Sequence, residues 1–159
     1  MTDQDTPDPR AYPDRPYVGV GAVIFRGDEV LLAMRGKLPR RNDWSIPGGA
    51  QEIGETYVET AIREVMEETG LEIEVTGLVD VVDAINRDEE GRVRYHYTLV
   101  DVVAEWKSGE AVAKDDLADA KWVKISEIDD FDLREATRDV IRMAAGKRKP
   151  AIGGWPRRL

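Results

Sequence analysis

Three glutamates, Glu64, Glu67 and Glu68, lie three and four residues apart in a segment whose apolar residues repeat at helical spacing. Like charges at this spacing destabilise a helix, so a positive partner among them would explain the cluster. Carboxylate oxygens are ligands that Mg²⁺ prefers, and protein-bound Mg²⁺ commonly also contacts substrate phosphates. The cluster therefore predicts a metal-dependent site for a phosphorylated ligand. The alternative is a solvated acidic face on an ordinary amphipathic helix.

The helix that carries these glutamates can be placed from its periodicity. An apolar stripe at i, i+3, i+4 and i+7 is formed by Val58, Ala61, Ile62 and Val65. At about 100° per residue, the glutamates lie roughly a third of a turn from this stripe. Thr56 and Glu59 form a candidate capping box at the start, and Gly70 suits the end. One face should pack on a core while the adjacent face presents carboxylates to a cleft.

The spacing of charged residues and glycines around the helix resembles that of a known family. Residues 49–71 match the Nudix box, Gly-x5-Glu-x7-Arg-Glu-U-x-Glu-Glu-x-Gly-U with U apolar, at all nine specified positions. The run WSIPGG over residues 44–49 is similar to the strand and turn that usually precede the box. The resemblance covers residues 17–145. It implies an α/β fold, a Nudix-type α/β/α sandwich with a mixed β-sheet.

The resemblance also implies roles for individual residues. Metal ligands would be Glu64, Glu67, Glu68 and the carbonyl oxygen of Gly48, and the ion would be Mg²⁺ or Mn²⁺. An ion pair between Glu55 and Arg63 would orient the helix, and Glu55 also reaches a metal or the substrate in some members. The expected reaction is attack by water on a phosphorus of a diphosphate, with metal ions lowering the pKa of the water.

The catalytic set predicted on this basis comprises Glu64, Glu68, Arg63 and an acidic residue on a late loop. Glu64 is one candidate for the general base, and Asp116 is another, with its neighbour Asp115 equally placed. For the substrate, Arg35 before the basic loop GKLPRRND is a candidate phosphate contact, and Tyr95 is a candidate platform for a base. Ordinary surface or structural roles remain the alternatives for these two side chains.

Around the box, the chain reads as a single domain with two short extensions. Residues 1–16 hold four of the eight prolines and predict a flexible arm. β-rich segments are expected at residues 17–25, 29–34, 44–46, 72–86, 92–106 and 120–125, with a turn at residues 47–49 and a polar loop at 107–119. Ser126 and Asp129 resemble a capping box before a second helix over residues 133–145. Residues 146–159 form a basic tail.

Composition limits the function further. The chain has no cysteine, no long apolar run and a net charge of −9. We therefore expect a soluble, cytoplasmic protein without disulfides, and neither a membrane nor nucleic acid as its general partner, since both would need a positive surface. A small nucleotide is the expected substrate. A homodimer is suggested only by analogy with the family.

The choice of substrate rests on residues outside the box. The long strand pair that ends in residues 95–101 resembles small ADP-ribose pyrophosphatases, although the proline typical of that group after the box is missing here. ADP-ribose or a similar nucleotide sugar is favoured. The alternative is a (deoxy)nucleoside triphosphate, as in enzymes that cleanse nucleotide pools. An RNA-end pyrophosphohydrolase and a non-catalytic nucleotide-binding protein are further alternatives.

Overall fold

The computed structural model describes residues 7–36 and 42–148. The strands are β1 Tyr17–Arg26, β2 Glu29–Arg35, β3 Trp44–Ser45, β4 Gly48–Ala50, β5 Glu72–Arg87, β6 Val93–Ser108 and β7 Leu117–Lys124. The helices are α1 Tyr57–Thr69 and α2 Glu135–Gly146, with a 3-10 helix at Ile125–Asp130. The predicted α/β architecture with a mixed sheet is confirmed.

The sheet divides near its centre. Strand β1 runs parallel to β6, and the other pairs are antiparallel in the order β3-β2-β1-β6-β5, with β4 on β1 and β7 on β2. Strands β1 and β2 pair only at Phe25–Val30 and Arg26–Glu29, next to their hairpin. Away from the hairpin, the first half of β1 pairs with β4, and the last part of β2 pairs with β3. We call the gap between these diverging ends the split, and residues 46–47 cross it.

A helix covers each face of the sheet. The apolar side chains of β1 point alternately to the two faces and contribute to the core on each side. Val20, Ala22 and Ile24 pack with Ala61 and Val65 of α1. The alternate residues on the other face, Val23 and Phe25, pack with Val140, Ile141 and Ala144 of α2. Because successive side chains of a strand point to opposite faces, the continuous apolar run of β1 is what a strand buried on both sides requires. Helices α1 and α2 are thereby held on opposite sides of the split.

Several local predictions need correction. The predicted turn at residues 47–49 is instead partly a strand, because Gly48–Ala50 pairs with β1. The predicted capping box of Ser126 and Asp129 is wrong, since these residues lie in the 3-10 helix, which has no side-chain cap. Helix α2 begins later, after Arg134, and it also has no side-chain cap. The predicted loop at 107–119 is shorter, since β7 begins at Leu117.

Part of the predicted N-terminal arm contacts the β5–β6 hairpin. The backbone N–H of Tyr12 donates to the carbonyl of Arg94, and its hydroxyl donates to Asp88. The hydroxyl of Tyr95 donates to Asp8. Residues 1–6, most of the basic loop and residues 149–159 of the basic tail lie outside the described residues. Within the described part of the chain, no helix is both long and apolar enough to cross a membrane.

Candidate active site

Helix α1 is fixed at both ends by its own sequence. Thr56 Oγ1 accepts from the N–H of Glu59 at 3.1 Å, and Glu59 Oε2 accepts from the N–H of Thr56 at 2.7 Å. Gly70 ends the helix in the left-handed conformation, with φ of 75°. The predicted capping box and helix end are thus confirmed. Since the buried face of α1 is set by its apolar residues, these caps also fix where the acidic edge lies.

Arg63 is the centre of the charged cluster. Its guanidinium donates two hydrogen bonds to Glu55, at 2.6 and 2.9 Å, which confirms the predicted ion pair. It also donates to Glu64 at 2.8 Å, to Glu67 at 3.3 Å and to the carbonyl of Ala50 at 3.1 Å. The hydrogen bond from Arg63 lowers the pKa of Glu55 to about 2. Arg63 therefore neutralises part of the cluster and ties α1 to β4.

Glu68 lies deeper than the other acidic side chains, and it faces the glycine turn. Gly48 N–H donates to Glu68 Oε2 at 3.1 Å. Burial raises the pKa of Glu68 to about 7, and the charges of Glu64 and Asp115 act in the same direction, against the Gly48 hydrogen bond and Arg35. Burial also raises the pKa of Glu64. Burial and the repulsion between neighbouring carboxylates therefore both oppose ionisation of Glu64 and Glu68.

The two glycines before the box are required by close contacts. A Cβ atom at Gly48 would collide with the carbonyl oxygen of Val20, and one at Gly49 would collide with the carboxylate of Glu64. Glycine alone lets the main chain approach these groups. The Gly48 backbone consequently lies within hydrogen-bonding distance of Glu68, where its carbonyl group can share a cation with the carboxylates.

The donor set suits a hard divalent cation such as Mg²⁺. Glu64 and Glu68 offer carboxylate oxygens on one side of α1. A bound cation would offset the burial and the neighbouring negative charges that raise their pKa values. Among the described residues, however, no three acidic or histidine side chains already converge as a metal-binding group. The hydrogen bonds of Arg63 to Glu64 and Glu67 turn these carboxylates toward the guanidinium. Binding would therefore require them to rotate.

The late acidic loop reaches the cluster through Asp115. The charge of Asp115 contributes to the raised pKa of both Glu64 and Glu68, after the larger effect of burial. Its backbone has a positive φ of 55°, which is uncommon outside glycine. The neighbouring Asp116 accepts a hydrogen bond from Gly36 N–H through its backbone carbonyl. Sequence analysis named Asp116 with Asp115 as its neighbour, and the structure couples Asp115 to the glutamates.

A cleft of about 60 Å³ opens at the split beside Glu68. Arg35 lines it, as the phosphate-contact prediction requires, and its charge lowers the pKa of Glu68 against the dominant effect of burial. Sequence reasoning missed four further polar residues of the lining, which are Asp43, Ser45, Arg134 and Thr137. Asp43 and Arg134 are ion-paired at 3.0 Å. No spacing pattern links them, because only the tertiary fold brings β3 to the start of α2.

Tyr95 lies away from this cleft. The register places Tyr97 opposite Tyr17, and Tyr95 lies two residues beyond it toward the hairpin tip. Gly21, four residues along β1 from Tyr17, is the position that pairs with Gly48. Since a strand rises about 3.3 Å per residue, Tyr95 is separated from the glycine turn by roughly 20 Å along the sheet. Its hydroxyl serves Asp8 of the arm, so its predicted contact with a base is not supported.

Comparisons with known proteins agree with this geometry. The NUDIX domain family model matches residues 15–144. The chain is 32% identical over 133 residues to an ADP-ribose pyrophosphatase of Methanocaldococcus jannaschii, covering 82% of this chain and 76% of that protein. It is 36% identical over 116 residues to a putative mutator protein, MutT4, of Mycobacterium tuberculosis, covering 68% of this chain and 46% of that protein. A MutT NUDIX hydrolase structure from Burkholderia pseudomallei superposes with a TM-score of 0.70 at 29% identity, covering 82% of this chain and 98% of that one.

Proposed function

The chain belongs to the Nudix hydrolase family, and from this premise we propose that it is a metal-dependent pyrophosphohydrolase of nucleoside diphosphates linked to another group. ADP-ribose or a similar nucleotide sugar is the favoured substrate, and Mg²⁺ or Mn²⁺ the metal. The observation that carries the proposal is the Glu68 carboxylate, buried against the Gly48 turn and beside Glu64 and Arg35. The proposal is supported by the position of Gly48, Glu68 and the cationic side chain of Arg35, which all line one cleft.

The proposed reaction is hydrolysis of the phosphoanhydride. The oxygen of water forms a bond to one phosphorus, the bond between that phosphorus and the bridging oxygen breaks, and the second phosphate leaves with the bridging oxygen. Bound divalent metal lowers the pKa of water and offsets charge on the phosphates. A carboxylate of the cluster accepts the proton of the water. Arg35 orients the diphosphate, and Arg63 holds Glu64 and the helix in position.

The preference for a nucleotide sugar draws on the relative from M. jannaschii, which is named an ADP-ribose pyrophosphatase and matches over most of both chains. The second candidate is a (deoxy)nucleoside triphosphate. It is favoured by the mutator-type names of the M. tuberculosis relative and the B. pseudomallei structure. In both classes a phosphoanhydride next to a nucleoside is cleaved, so the same cluster can serve either reaction.

Turnover of a substrate panel with Mg²⁺ tests the proposal. The panel contains ADP-ribose, other nucleotide sugars, the common (d)NTPs and oxidised dGTP. The readouts are pyrophosphate release and the phosphate that an added phosphatase frees from the monophosphate products. Glu68→Gln should abolish turnover, whereas Glu74→Gln, which changes an exposed glutamate on β5, should not. Cleavage of ADP-ribose to AMP and ribose 5-phosphate supports the favoured substrate. Preference for a triphosphate with pyrophosphate release supports the second, and no turnover by the wild type contradicts both.

The late loop can be tested by a matched pair of variants. If Asp115 is the loop carboxylate that acts with Glu64 and Glu68, Asp115→Asn should lower kcat at least tenfold. Asp116→Asn is the matched comparison, and we expect it to have a smaller effect because the charge of Asp115 raises the pKa of both glutamates. The reverse ranking would return the role to Asp116, the residue named from the sequence.

A homodimer is also proposed. Strand β5 is the last strand of the sheet order, so no strand within residues 7–36 and 42–148 pairs with its outer edge. Leu78, Val81 and Ile85 on this strand are 41%, 52% and 50% exposed, and their partners on β6 place them on the α1 side of the sheet. Exposed apolar groups beside an open edge favour self-association. Light scattering should give twice the chain mass for the wild type and a lower mass for Val81→Lys.

A further inference from the structure

The cleft has a second polar end, away from Glu68. There the carboxylate of Asp43 and the guanidinium of Arg134 are 3.0 Å apart, and their side chains are 40% and 56% exposed. The first residue precedes β3 and the second precedes α2, on the far side of the split. Both line the same cleft as Glu68 and Arg35. A group bound at the glutamates could therefore extend to this pair.

The backbone on both sides of the pair is held in place. The carbonyl of Asp43 accepts from Arg35 N–H at 3.1 Å, which anchors the segment before β3 to the end of β2. Trp44 and Leu133, each next to a member of the pair, form an isolated parallel bridge. Leu133 N–H also donates to the carbonyl of Phe131 at 2.8 Å. The donor and the acceptor are thus presented side by side from anchored backbone rather than from a free loop.

The walls near the pair combine apolar and hydroxyl groups. Trp44, Ile46 and Leu117 contribute apolar surface, while Ser45 and Thr137 add hydroxyl groups. Among residues 7–36 and 42–148, the charge of Arg134 is compensated by Asp43, so the described part of this end has no excess positive charge for a phosphate. Arg35, nearer to Glu68, has no such partner among the ion pairs of the described residues. The cleft therefore runs from a phosphate-binding end to a neutral end with one strong donor and one strong acceptor.

We propose that Asp43 and Arg134 are specificity-determining residues that bind the hydrogen-bonding edge of the substrate's nucleobase. This inference rests on the proposed function, since it assumes a nucleotide in the cleft. The guanidinium would donate to a carbonyl oxygen or an unprotonated ring nitrogen, and the carboxylate would accept from an amino group or a ring N–H. Because the bases differ in the order of these groups, the pair favours some bases over others. A site built to hydrogen-bond such groups rejects analogues that lack them.

The test separates recognition of the base from a structural ion pair. Asp43→Asn replaces the acceptor with an amide, and the double variant Asp43→Arg with Arg134→Asp keeps an ion pair but exchanges donor and acceptor. Asp129→Asn is the matched control, since Asp129 pairs with Arg142 at 2.6 Å on the surface outside the cleft. For each protein, calorimetry with Mg²⁺ gives the Kd of AMP, GMP, CMP and UMP. Turnover of ADP-, GDP-, CDP- and UDP-glucose gives kcat/KM for four substrates that share the same sugar and differ only in the base.

We expect Asp43→Asn and the exchanged pair to change the ratio between the best and the worst base at least tenfold, with kcat for the best substrate altered much less. The control should keep the wild-type ratios within twofold. Equal weakening for all four bases, or restoration of the wild-type ratios by the exchanged pair, would show a structural role and overturn the inference. If the wild type turns over nothing, the proposed function fails, and the ratios of the four monophosphate affinities still decide the role of the pair.

Discussion

Replacing Asp101 with asparagine should stabilise the protein above pH 6 and leave its stability unchanged near pH 4. Asp101 lies on β6, opposite Gly21 of β1 and Asp80 of β5. A Cβ atom at Gly21 would meet the Asp101 carboxylate and Ile46, which shows how closely this group is enclosed. Burial raises the pKa of Asp101 from 3.8 to about 6, and the charge of Asp80 adds to the effect.

The sign and size of the effect follow from this shift. The folded chain holds the proton of Asp101 more tightly than the unfolded chain, so folding becomes less favourable as the pH rises from 3.8 to about 6. One pKa unit corresponds to about 1.4 kcal/mol, which sets an upper limit of about 3 kcal/mol for the penalty above pH 6. Because the carboxyl is only partly buried, we expect about 1–2 kcal/mol, or roughly 3–6 °C in Tm.

Urea denaturation at several pH values between 4 and 8 measures this difference. The free energy of unfolding of Asp101→Asn minus that of the wild type should be close to zero at pH 4 and should reach its maximum above pH 6. Asp83→Asn removes an exposed carboxylate from β5 and should show no comparable gain. If the variant is no more stable than the wild type at any pH in this range, the argument that Asp101 is a partly buried, destabilising charge is refuted.

Three further changes test the helix and the glycine turn. Glu68→Gln should abolish turnover while the free energy of unfolding at pH 8 stays level or rises, since a buried charge is removed; a large loss of stability in denaturant titration would contradict this. Thr56→Ala removes the N-cap of α1 and should cost about 1 kcal/mol, lowering Tm by roughly 2–4 °C. An unchanged melting curve would show that the cap contributes nothing. Gly49→Ala should displace the Glu64 carboxylate and lower kcat/KM at least tenfold with an unchanged circular dichroism spectrum. Wild-type kinetics would mean that the turn tolerates a side chain.

The parts of the fold that sequence predicted correctly depend on local chemistry. Thr56 and Glu59 are three residues apart, so their capping box forms within one turn and needs no other element. Gly70 likewise ends α1 through its own left-handed conformation. The ion pair of Arg63 with Glu55 follows from the helix and the turn before it. Such short-range determinants are readable because the residues that interact are close in the chain.

The parts that sequence missed depend on contacts between distant segments. Ser126 and Asp129 have the spacing of a capping box, but they lie in a 3-10 helix. Ile128 of this 3-10 helix packs in the core between the sheet and α2. The strand at Gly48 exists because β1 offers an edge that β2 leaves open in the split. The choice between Asp115 and its neighbour requires the path of the loop past α1. None of these contacts leaves a periodic or spaced pattern in the sequence.

The split connects the glutamate cluster with the proposed base-binding pair. Residues 46–47 cross it, held by the hydrogen bond from Ala22 N–H to the carbonyl of Pro47 and by pairing of the glycine turn with β1. One end of this short segment presents Gly48 to Glu68, and the other continues from β3, where Asp43 meets Arg134. Because both ends belong to one anchored segment, a shift at the neutral end of the cleft would be transmitted to the carboxylates. Substitutions near Asp43 that move the backbone should therefore lower kcat for every base, whereas substitutions that change only its hydrogen bonding should alter the preference among bases.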